Sequence, residues 1–82
     1  MKTTIELLHQ EYTREYEFLY DNHCKGKEVA GESQATEFFD EVILKEKLEL
    51  LKEFNTYVGD PIMSDRESAA FVFACEKLGL LD

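Results

Sequence analysis

Tryptophan is absent from this chain, proline occurs once, at Pro61, and cysteine only twice, at Cys24 and Cys75. Two cysteines make at most one bridge, so a small domain stapled by disulfides is excluded and reduced thiols are expected. Basic residues are scarce: nine Lys and Arg stand against 18 Asp and Glu, a net charge of −9. Affinity for a phosphate backbone comes mostly from Lys and Arg, so direct nucleic-acid binding is not expected, while basic protein surfaces are attracted. No apolar run approaches the roughly 18 residues of a membrane span. The start, Met1-Lys2-Thr3-Thr4-Ile5-Glu6, has no apolar stretch of signal-peptide length. The expectation is a cytoplasmic chain with no membrane partner.

What is present is enough apolar material for a core. Hydrophobic residues make up 44% of the 82, with six Phe and four Tyr, more than a disordered chain carries. This length predicts a single domain, 1–82, with a core small enough that association would help it.

The pattern predicts an all-α domain of three helices, over about 4–21, 34–57 and 65–78. Thr3 and Glu6 have capping-box spacing, and Ile5, Leu8, Tyr12, Tyr16 and Leu19 then recur at helical intervals. Asn22 and Gly26 offer stops. Lys25 to Glu32 has two glycines and no periodicity, which reads as a loop. Ser33 is the expected N-cap of a long second helix, roughly 36 Å from end to end, closed by Gly59 and Pro61. Ser64 and Glu67 form a second capping box. The helix they open is apolar around most of its circumference from Ala69 to Cys75, so it should be largely buried. Leu78-Gly79-Leu80 has the form of a Schellman ending.

Projected at about 100° per residue, the long helix places Phe39, Ile43, Leu44, Leu50, Leu51, Phe54, Tyr57 and Val58 on one broad face. Ala35, Phe38 and Val42 fall opposite, among Glu41, Lys45, Glu49 and Glu53. In the first helix Leu7 and Phe18 lie off the main stripe, flanking Glu11 and Arg14. Either loop residues such as Val29, Ile62 or Met63 fold over these groups, or they stay on the surface as anchors, or the projection has the wrong phase. Aromatic anchors ringed by charge are a recurring form of protein interface.

Several spacings resemble chemistry and have plainer readings. Glu6-x-x-His9 has the spacing of a helical di-iron ligand pair, but such sites need the motif twice, with two further carboxylates. His23 and Cys24 are adjacent, hence about 100° apart on a helix and poorly aimed at one another. Glu37-x-x-Asp40 and Glu46-x-x-Glu49 each share a face, yet both lie on one helix, and no Lys or Arg cluster is evident for substrate phosphates. There is no glycine-rich phosphate loop and no Gly-x-Ser-x-Gly turn. No enzyme, metal or cofactor is expected.

Glu37, Glu41, Glu49 and Glu53 form a row along the long helix, interrupted by Lys45; Glu6, Glu17 and Asp21 form another on the first. Such rows are ordinarily solvated faces with Glu41–Lys45 and Glu49–Lys52 pairs. A sharper reading is that spaced carboxylates imitate phosphates and occupy a nucleic-acid channel on another protein, as small acidic inhibitors encoded by phages and other mobile elements do. The expectation is an interaction module that binds a basic protein through Phe38, Val42, Glu41, Glu49, Glu53 and Phe18. The alternative is a homo-oligomer, such as a dimer, whose extra apolar stripes serve self-assembly.

Overall fold

The computed structural model describes residues 2–81, and the regular structure among them is helical throughout. There are four helices rather than three: α1 (Thr4–Cys24), α2 (residues 32–46), α3 (Leu48–Val58) and α4 (Asp65–Lys77). The last is the most enclosed, with Ser68 to Val72, Ala74 and Cys75 all buried. It packs between α1 and α2, and its small residues Ala69, Ala70 and Ala74 let both neighbours approach closely. α3 lies mainly against α1.

Both capping boxes form. The Glu6 and Glu67 backbone N–H groups donate to Thr3 Oγ1 and Ser64 Oγ, each at 3.2 Å, while Glu67 Oε1 accepts from the Ser64 N–H at 3.1 Å. The Schellman ending of α4 is present: the Leu80 N–H donates to the Cys75 carbonyl and the Gly79 N–H to that of Glu76. α1 runs three residues beyond the expected Asp21. Asn22 is no stop, because its amide donates back to the Phe18 carbonyl at 2.8 Å. The helix closes where the Lys27 N–H reaches the Asn22 carbonyl at 2.9 Å. Ser33 is not the cap of α2. That position belongs to Gly31, whose φ of +86° turns the chain where a side chain would be strained.

The main correction concerns the long second helix, which does not exist as one rod. Residues 39–43 form a π-helical turn, in which the Leu44 N–H reaches the Phe39 carbonyl, and the chain bends at Lys47 (φ −121°, ψ 26°). The cause is the spacing of the apolar residues. Ala35, Phe39, Ile43 and Leu51 are separated by multiples of four, whereas an α-helix has about 3.6 residues per turn. On a straight helix Ala35 and Leu51 would stand about 160° apart. The wider π turn and the bend absorb that drift, so Ala35, Phe39, Ile43, Leu51 and Phe54 are all buried in one core. Burying these side chains outweighs the imperfect helix geometry, because each large one is worth about 1.5–3 kcal/mol.

Phe54 ties α3 to the rest. Its ring meets Phe71 of α4 at 5.1 Å and Tyr12 of α1 at 5.0 Å between centroids, both edge-on. Edge-to-face pairs of this kind add to the burial of apolar area.

Candidate partner-binding surface

The residues expected to form an interface do not come together as one patch. Phe38 packs half-buried against the core, and Val42 is half-buried on the π turn, so neither is the open anchor a straight helix would make it. Val29 and Ile62 also pack on the core, as a loop cover would, while Met63 is 84% exposed. Phe18 is different: it stands 51% exposed on α1, with Leu7 also exposed and Arg14 paired to Glu11 at 3.1 Å between them. Glu41, Glu49 and Glu53 are exposed, but the bend at Lys47 places Glu41 on α2 and the other two on α3. There is no single acidic row.

Glu49 and Glu53, with Lys52 between them, instead border a shallow groove of about 850 Å³ between the start of α1 and α3. Its apolar lining is Ile5, Leu50 and Tyr57. Ile5 and Leu50 are seated on the core, whereas Tyr57 is 53% exposed and meets the His9 ring edge-on at 5.6 Å. His9 therefore lies against Tyr57 and Phe54. Glu6, its partner in the Glu-x-x-His spacing, is engaged in the helix cap. Among the described residues no group of three or more His, Cys, Asp or Glu side chains gathers where a metal ion could be held.

A second surface runs along α1 from the edge of the core, where Tyr16 is seated, to exposed Phe18. Tyr16, Glu17, Phe18, Tyr20 and Asp21 line a trough of about 520 Å³, in which Tyr20 is as open as Phe18. Arg66 lies against the two tyrosines, its guanidinium carbon 5.2 Å from the Tyr20 ring centre and 5.9 Å from that of Tyr16. A cation in the first turn of α4 opposes the helix dipole. Ring faces and one further acceptor offset this: Arg66 Nη2 is 3.2 Å from His23 Nδ1. Arginine only donates, so Nδ1 accepts and His23 carries its proton on Nε2. That nitrogen in turn lies 3.0 Å from both carboxylate oxygens of Glu32 at the start of α2. The chain Tyr20–Arg66–His23–Glu32 thus joins three helices, and Arg66 Nε is buried there with no hydrogen-bond partner.

Little in the sequence points to this network. Its one sequence signal was Tyr16, Tyr20 and His23 at intervals of four and three on α1, with nothing to point to Arg66. Both ring nitrogens of His23 are committed, to Arg66 and to Glu32, and not to the neighbouring Cys24.

Three further groups are shaped by their surroundings. The buried Glu15 carboxylate pairs with Lys77 in the last turn of α4, and this hydrogen bond and charge raise the ammonium above its ordinary range. Burial, reinforced by the Glu67 carboxylate, raises the Tyr12 phenol. Burial also pushes the Cys75 thiol up to about 12, which leaves it a packed, unreactive side chain, whereas Cys24 is exposed. No described helix is long and apolar enough to cross a membrane. Compared with known protein families, curated proteins and solved structures, the chain matches none of them.

Proposed function

We propose that this chain is a small interaction module that binds a protein with a basic surface, as an inhibitor or adaptor, by steric and charge-based contact and without catalysis. The observation that carries this reading is the groove between α1 and α3, where exposed Glu49 and Glu53, which outnumber the single Lys52 beside them, border the apolar Ile5, Leu50 and Tyr57. Apolar contact supplies most of the holding energy at such interfaces, and surrounding charge steers the encounter and selects the partner. With a net charge of −9 the whole molecule adds to that attraction. Proteins that handle nucleic acid present basic surfaces of this kind, and a cytoplasmic location accords with such a target.

The test is capture from a nuclease-treated bacterial lysate by the tagged chain, washed at low and at high salt, beside a Glu49→Gln/Glu53→Gln variant. The expected outcome is a partner held by the natural chain and released by the double substitution. Equal retention of that partner by the variant at both salt concentrations would overturn the groove as its site. A second reading, self-association, is favoured by Leu44 and Leu48, which are exposed on either side of the bend. It predicts a dimer in light scattering that persists at high salt and is lost in a Leu44→Ser/Leu48→Ser variant.

A further inference from the structure

We propose that the trough along α1 receives an arginine side chain of the partner, an assignment that rests on the basic-partner reading above. At about 100° per residue Tyr16 and Tyr20 stand about 40° apart, Glu17 and Asp21 come next, and Phe18 lies beyond them. The trough therefore has carboxylates flanked on both sides by aromatic rings. A guanidinium suits this order better than an ammonium does. It is planar, stacks on ring faces and offers a fork of donors to a carboxylate.

Arg66 already makes the aromatic half of this contact, over the same two tyrosines. That contact holds both rings in place before any partner arrives, which lowers the cost of ordering them. The acids are free to respond. Glu17 makes no ion pair among the described residues, and Asp21 pairs only with Lys25, at 3.1 Å, where both side chains are mostly exposed. An exposed pair of that kind is weak and readily exchanged. A second copy of this chain is a poor occupant, because two molecules of charge −9 repel and the trough itself is acidic.

The experiment titrates the intact, isotopically labelled chain with the blocked tripeptide acetyl-Gly-Arg-Gly-amide and with its Lys and Gln counterparts, followed by amide chemical shifts. The expected result is a saturable shift centred on residues 16–21, with Arg binding at least about threefold tighter than Lys and Gln giving no shift. Phe18→Ala and Asp21→Asn, both at exposed positions, should each weaken the Arg peptide while leaving the remaining spectrum in place. Equal binding of Arg and Lys, or no response at residues 16–21, would overturn the assignment. Shifts centred on Glu49 and Glu53 would also overturn it, yet leave the basic-partner reading standing. Shifts at residues 16–21 that depend on protein concentration without peptide would show a second copy there and overturn it as well. The lysate capture with the Glu49→Gln/Glu53→Gln variant decides the groove separately.

Discussion

Replacing Phe54 by alanine should remove a large share of the protein's stability. The side chain is 1% exposed and bridges α3 to α1 and α4 through Tyr12 and Phe71. Truncating a buried Phe typically costs about 3–5 kcal/mol, from lost transfer energy and the cavity left behind. A chain of this size has about 4–12 kcal/mol in total, so the loss lies between a quarter and all of it. The assay is urea unfolding followed by helical circular dichroism. With a slope of about 1 kcal/mol per molar urea, the midpoint should fall by about 3 M or more. Should the alanine variant lack a folded baseline, Phe54→Leu keeps most of the volume, loses the ring-edge contacts and should cost about 1–2 kcal/mol. Two controls fix the ranking. Phe38→Ala, half-buried, should cost about 1–2 kcal/mol, and the exposed Phe18→Ala within about 0.5 kcal/mol. A loss under about 1.5 kcal/mol for Phe54→Ala, or a Phe18→Ala loss equal to it, would refute this account of the core.

The thiols should behave unlike one another. At pH 8 an aromatic disulfide reagent should titrate one equivalent promptly, at Cys24, and the second only under denaturant; two prompt equivalents would contradict the burial of Cys75. The raised Cys75 thiol also couples to stability, because its pKa moves from 9.0 unfolded to about 12 folded. A group raised by folding contributes fully below its unfolded pKa and loses that contribution as pH rises towards the folded one. Stability should therefore decline from about pH 9 upwards, with the Tyr12 and Lys77 groups adding to the fall in the same direction at higher pH. Cys75→Ala should flatten the first part of the fall, and a natural chain equally stable at pH 8 and pH 10 would refute the coupling. The neutral His23 ring should show its proton on Nε2 in nitrogen-correlated spectra, and Arg66→Gln should relax that preference; a ring protonated on Nδ1 would dismantle the Arg66–His23–Glu32 order.

The parts of this fold that were legible in the sequence are those decided within a few residues. Thr3 with Glu6, and Ser64 with Glu67, need only their own helix turn to form a cap. The ending at Gly79 and Leu80 is equally local. The enclosure of α4 follows from its run of small and apolar residues, whatever packs on it. The bend at Lys47 could not be read in the same way, because residues 34–57 contain neither Gly nor Pro and no position refuses a helix. It is set by distant partners: the same core must receive Ala35 and Leu51. The apolar residues that faced the wrong way on a straight rod were the visible trace of that demand. Ser33 lost to Gly31 because the turn from Val29 to Glu32 needs a left-handed residue more than α2 needs a side-chain cap. The Arg66 network was illegible for a simpler reason, since Arg66 and His23 are 43 positions apart.

The bend also changes what the acidic residues can do. Carboxylates that imitate a run of phosphates must hold their spacing along a continuous line, and each must contribute comparably to an encounter that salt weakens. Here Glu37 and Glu41 belong to α2, while Glu49 and Glu53 border the groove on α3 beyond the bend. Two charge-neutral variants separate the cases, Glu37→Gln/Glu41→Gln and Glu49→Gln/Glu53→Gln, each raising the net charge by the same two units. Were general attraction or a phosphate-like row responsible, both would reduce partner affinity and its salt dependence alike. In the groove reading the α3 pair sits at the contact and loses the larger part, because a charge at the contact acts over a few ångströms. The α2 pair lies outside the groove and is screened within about 8 Å at physiological salt. Equal losses would return the charge to a diffuse role, and a greater loss from the α2 pair would move the interface to the other side of the bend.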